Sequence, residues 1–139
     1  VLPFEKSMFF IPNRLYTSRD EMYVSFNIAD IPTDMQITAM VLHVPIPDAA
    51  FFSQITLQEI TAGWDEGLMR IGYRPPLAAV IEPTEPIRSG EDATFDIKEL
   101  EYDWRFRSLE NHGVYVKFSN AEGTVCSEEN PPYLLITTT

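Results

Sequence analysis

Eleven prolines are spread along the 139 residues of this chain. Each fixes its own φ and lacks an amide hydrogen, so no long helix can cross most of the sequence. Between the prolines lie short apolar runs, separated by turn residues at fairly regular intervals. That spacing is the pattern of a β-sandwich or barrel. The length suits one domain, with enough chain to bury a core without disulfides or metal.

Residues 22–29 alternate, with Met22, Val24, Phe26 and Ile28 on one face and Tyr23, Ser25 and Asn27 on the other. Residues 30–34 read as a turn around Pro32. Residues 37–46 place Met40, Leu42, Val44 and Ile46 together and His43 opposite, with Pro45 and Pro47 ending the strand or marking an edge. Residues 54–61 form a third strand, whose phase switches at a bulge between Leu57 and Ile60. Residues 77–81, 114–118 and 133–137 are further strands, and the apolar run 8–11 reads as a buried first strand. Residues 62–67 and 119–132 read as loops. One helix is expected over residues 95–106, where Ile97, Leu100 and Trp104 recur at helical spacing and Asp96 and Glu99 suit a capping box. The expected fold class is all-β: a jelly-roll or Greek-key sandwich of about seven or eight strands with one short helix.

The net charge of −11 disfavours nucleic acid and anionic membranes, which need a concentrated basic face. No apolar run approaches the roughly 18 residues of a membrane span, so no membrane insertion is expected. His43 and His112 are the only histidines, and no Gly-x-Ser-x-Gly elbow is present. Neither histidine has the neighbours of a hydrolase triad or a zinc site, so the chain reads as non-catalytic. Cys126, the single cysteine, reads as a half-buried small hydrophobe. No cofactor is expected apart from a structural calcium, for which Asp65 with Glu66 and Glu91 with Asp92 are the candidate oxygen ligands. The competing reading of these carboxylates is solvated loop charge.

The aromatic residues offer another chemistry. Trp64, Tyr73 and Tyr115 are candidate glycan ligands, because ring faces pack against the C–H faces of sugars. Asp65 and Glu66 would accept hydroxyl hydrogen bonds beside Trp64. Such a platform requires these rings to be exposed on one concave face. The competing role of Trp64 is to cap one end of the core.

Several segments occur together in a family-like order. They are Tyr23-Val24-Ser25-Phe26-Asn27-Ile28 followed by Ile31-Pro32, then Ile60-Thr61-Ala62-Gly63-Trp64-Asp65-Glu66. Phe95-Asp96-Ile97, Asn111-His112-Gly113-Val114 and Pro132-Tyr133-Leu134 follow. From Tyr16 to Ile136 the chain resembles the DNRLRE domain family of bacterial and archaeal surface proteins. It is also similar to the related sandwich of TGF-β propeptides. The resemblance implies a non-catalytic accessory or structural module outside the cell. Some relatives are attached to polysaccharide-degrading enzymes and bind glycans.

The expected function is a structural or adhesive module of a bacterial cell-surface or secreted protein. It would be one domain, residues 1–139, cut from a longer chain and packed against that chain's other domains. One alternative is a carbohydrate-binding module attached to a polysaccharide-active enzyme. The other is a protein-binding, prodomain-like module, which would show an exposed apolar patch near residues 8–11 and could meet another surface protein.

Overall fold

The computed structural model describes residues 6–47, 51–84, 92–122, 125–126 and 129–139. Among the described residues there are nine strands: β1 (Lys6–Phe10), β2 (Arg14–Thr17), β3 (Glu21–Ser25), β4 (Ile37–Pro45), β5 (Gln54–Ile60), β6 (Leu77–Ile81), β7 (Asp92–Asp96), β8 (Val114–Ser119) and β9 (Tyr133–Thr138). They form a four-stranded sheet ordered β1-β9-β4-β7 and a five-stranded sheet ordered β2-β3-β8-β5-β6. All pairings are antiparallel. The fold is an all-β sandwich.

Period-two alternation builds the core. Met40, Leu42 and Val44 of β4, Leu134 and Ile136 of β9 and Phe95 of β7 are buried from one sheet. Val24 of β3, Ile55 and Leu57 of β5 and Val114, Val116 and Phe118 of β8 join them from the other. Phe26 and Ile28 remain fully buried beyond the end of β3. The expected phase switch in β5 is present as an irregular register against β6 between Gln58 and Ile60. It sends Ile60 into a second cluster with Tyr23, Trp64, Met69 and Tyr115.

The expected helix over residues 95–106 is corrected. Phe95 belongs to β7, paired with Leu42 of β4. A 3₁₀ turn follows at Lys98–Leu100, and helix α2 spans only Glu101–Phe106. Asp96 does not cap that helix; its Oδ1 accepts the Lys98 amide at 3.0 Å and closes a local turn. Ile97, Leu100 and Trp104 still reach the core. Arg105 is buried and donates through Nη2 to the carbonyls of Pro32 and Met35, which ties the 31–36 loop to α2.

Three elements were not expected: β2, β7 and helix α1 (Glu66–Arg70). Asp65 starts α1 by accepting the Leu68 amide at 2.8 Å, the bond expected of an N-cap. The first strand is buried on one face only: Met8 and Phe10 pack on the core, while Phe9 points outward. Cys126 is fully buried rather than half-buried, and its amide and that of Val125 donate to the Arg19 carbonyl.

Candidate functional site

The outer faces of the two sheets differ. On the five-stranded sheet, Tyr16, Tyr23 and Tyr115 stand in one cross-strand row. The rings of Tyr23 and Tyr115 lie 4.7 Å apart, and Trp64 lies 6.0 Å from Tyr23. Met69 of α1, Ile60 and Leu77 close over this row. Two arginines lie against the rings, Arg14 at 5.1 Å from Trp64 and Arg74 at 5.4 Å from Tyr16.

This second apolar layer decides the fate of the glycan candidates. Trp64 is only 3% exposed and Tyr115 only 8%. The Trp64 Nε1 donates to the His112 carbonyl at 2.6 Å, and the Tyr115 hydroxyl donates to Glu21 at 2.6 Å. Burial and that hydrogen bond hold the Tyr115 phenol far above its ordinary pKa. Tyr115 does point away from Val114 and Val116, but into a covered layer rather than solvent. Tyr73 keeps 37% exposure, and its hydroxyl donates to the Gly63 carbonyl at 3.2 Å. The three residues do not form an exposed concave platform.

The candidate calcium ligands are also dispersed. Asp65 is engaged as the cap of α1. Glu66 accepts the Leu15 amide at 3.3 Å and pairs with Arg70 at 3.7 Å. Asp92 lies on β7, in the opposite sheet. Glu91 lies outside the described residues. Among the described residues, no group of three or more His, Cys, Asp or Glu converges to hold a metal ion.

No described element covers the outer face of the four-stranded sheet. One row across it runs Phe9, Leu135, Val41 and Asp96, and the next runs Tyr133, His43 and Thr94. The imidazole of His43 stacks on the Tyr133 ring at 4.8 Å with an 8° tilt, and the Phe9 ring lies 5.9 Å from that of Tyr133. The Tyr133 hydroxyl donates to Asp92 Oδ2, and the same oxygen lies 3.4 Å from His43 Nδ1. Burial and the bond to Asp92 push the Tyr133 phenol up to about 12. Phe9 is 69% exposed and Ile11 81%.

Local sequence pattern marks neither Phe9 nor Tyr133 as a ligand residue, and of His43 it gives only the strand face opposite Met40 and Leu42. A signal was present in β4, where Ala39 and Val41 are apolar on the face opposite Met40 and Leu42. A strand that is apolar on both faces implies a second contact.

Two of the clefts among the described residues bring polar or acidic side chains together. One, of about 270 Å³, is lined by Asn13, Arg14, Ser25, Asn27, Ser108 and Asn111. Its polar groups bond within the fold: Ser25 Oγ donates to Asn13 at 2.7 Å, and Asn111 Nδ2 donates to the Phe26 carbonyl at 2.7 Å. The other, of about 430 Å³, carries Glu59, Glu99 and Asp103 beside Ala78 and Val80. Burial, then the charges of Asp103 and Glu99, raise the Glu59 carboxyl above its ordinary range.

A scan against models of known protein families finds no match for this chain, and a search of curated proteins finds none either.

Proposed function

We propose that this domain is a non-catalytic structural or adhesive module of a bacterial cell-surface or secreted protein, packed against other domains of the same chain. The observation that carries the reading is that the groups suited to a ligand are engaged in holding the fold. Trp64 bonds to His112, Tyr115 to Glu21, and Asp65 to the first turn of α1. The resemblance to DNRLRE surface domains supports the same reading. Its test is binding of the purified domain to a polysaccharide array with and without calcium. No saturable binding is expected, and the melting temperature should be the same in calcium and in chelator. Saturable binding lost on Tyr73→Ala in a folded protein would replace this reading with a carbohydrate-binding module.

A protein-binding module is the second reading. It is favoured by the exposed Phe9, which continues an apolar row through Leu135 and Val41, and by Ile11, exposed just beyond the end of β1. Replacing Phe9 and Ile11 by serine in the parent chain should leave this domain's own melting temperature unchanged. It should also make the junction to the neighbouring domain more susceptible to proteolysis. An unchanged junction would remove this second reading.

A further inference from the structure

We propose that the cleft between Asn13, Asn27 and Ser108 binds a carboxylate, that of an aspartate or glutamate side chain on a partner segment, through four hydrogen-bond donors that the fold leaves over. Three parts of the chain meet there. Arg14 opens β2 and lies opposite Ser25 at the end of β3. Asn27 follows in the loop that leaves β3, and Ser108 begins the 3₁₀ turn Ser108–Glu110. The cleft they line holds about 270 Å³.

Its internal hydrogen bonds all run in one direction. The Arg14 guanidinium can only donate. Its Nε donates to Ser25 Oγ at 3.1 Å, so the single hydroxyl hydrogen of Ser25 goes on to Asn13 Oδ1 at 2.7 Å. The acceptor of Asn13 is thereby occupied, and its amide nitrogen is left as a donor. The Ala29 amide does the same to Asn27, donating to Oδ1 at 3.1 Å. Asn111 is engaged at both ends, by the Gly113 amide and the Phe26 carbonyl. Arg14 Nη1 donates to the Trp64 carbonyl at 2.6 Å, which leaves Nη2. Asn13 Nδ2, Asn27 Nδ2, Arg14 Nη2 and the Ser108 hydroxyl therefore belong to the lining without a partner among the described residues.

Charge then selects the ligand. The chain carries 21 aspartates and glutamates, yet none lines this cleft. Among the described residues Arg14 makes no ion pair. Convergent N–H donors with one guanidinium suit an oxyanion, and charge-assisted bonds to a carboxylate are the strong ones. The lining holds no aromatic ring, so the C–H face of a sugar acid has nothing to pack on. An acidic peptide side chain needs no such platform.

Nuclear magnetic resonance titration of the isotope-labelled domain with N-acetylaspartate amide, at constant ionic strength, tests this. Saturable shifts are expected in the side-chain amides of Asn13 and Asn27. N-acetylasparagine amide, which lacks the charge, should produce none, and this comparison needs no variant. Asn13→Asp and Asn27→Asp keep the oxygen that receives Ser25 and Ala29 but replace the free donor with a carboxylate. Each should weaken binding at least about tenfold with the melting temperature unchanged. Asn120→Asp, beyond the far end of β8, should leave binding as it is. No saturable shift, an equal response to the asparagine compound, or undiminished binding in a folded Asn27→Asp protein would each overturn the proposal. Tighter binding of glucuronate or inorganic phosphate than of N-acetylaspartate amide would overturn the assignment to a peptide carboxylate.

Discussion

Trp64→Ala separates a structural indole from a sugar-binding one. The indole is almost wholly buried, packs on Tyr23 and lies under the Arg14 guanidinium. Removing a buried Trp typically costs about 3–5 kcal/mol through lost transfer energy and the cavity left behind. The His112 carbonyl would also lose its 2.6 Å donor, worth about 1 kcal/mol. The cluster sits under one short helix and a loop, so it can partly collapse, which favours a total of about 4 kcal/mol. A domain of this kind is stable by about 5–15 kcal/mol, so the variant would lose a quarter or more of its stability. At roughly 3 °C per kcal/mol the melting temperature would fall by about 12 °C. Trp64→Phe keeps a ring and loses the hydrogen bond, so its cost should be about 1–2 kcal/mol. Urea unfolding at fixed pH measures both. A loss below about 1 kcal/mol for Trp64→Ala would refute the reasoning, because the indole would then hold nothing together.

Other perturbations follow from single features. Gly113 has φ +84°, and a Cβ there would meet the Val24 carbonyl oxygen at 2.1 Å. Gly113→Ala should therefore cost at least about 3 kcal/mol or prevent folding, and a mild effect in urea unfolding would mean that β3 and β8 can part locally. Burial raises the Cys126 thiol from 9.0 to about 12, so the folded state favours the protonated thiol. That contribution is complete below pH 9.0 and is lost as pH rises toward about 12. Cys126→Ala should flatten the fall in urea midpoint over this window, and an unaltered slope would contradict the assignment. Glu59 is likewise held protonated above its ordinary 4.5, so its contribution is full below that pH and lost as the pH rises through the raised value. Glu59→Gln should raise the melting temperature at neutral pH and lose that advantage in acid; equal gains at both pH values would refute it.

The strands with clean alternation were legible because a two-residue period survives translation into a sheet without further information. Residues 37–46 and 114–118 differ from β4 and β8 by one residue at one end. β7 was concealed for a physical reason. Phe95, Ile97, Leu100 and Trp104 all face one core, but from a strand end, a 3₁₀ turn and a helix in succession. Their combined spacing imitates one longer helix. The direction of Tyr115 was legible and its burial was not, because burial depends on α1 and Trp64 folding over the sheet. Nothing in local spacing could join His43 to Asp92, since sheet register alone places β7 beside β4.

The pairing of β1 with β9 sets how this domain would respond to mechanical load. Lys6 lies opposite Thr138, so tension applied between these positions enters the ladder at one end. The β1–β9 bonds would then open in succession from Lys6–Thr138 toward Phe10–Leu134, rather than shear together. Each step breaks little, so β1 would peel away at low force while β9 stays zipped to β4. A sandwich built this way yields gradually at its margin and keeps its centre closed, behaving as an extensible link rather than a rigid strut.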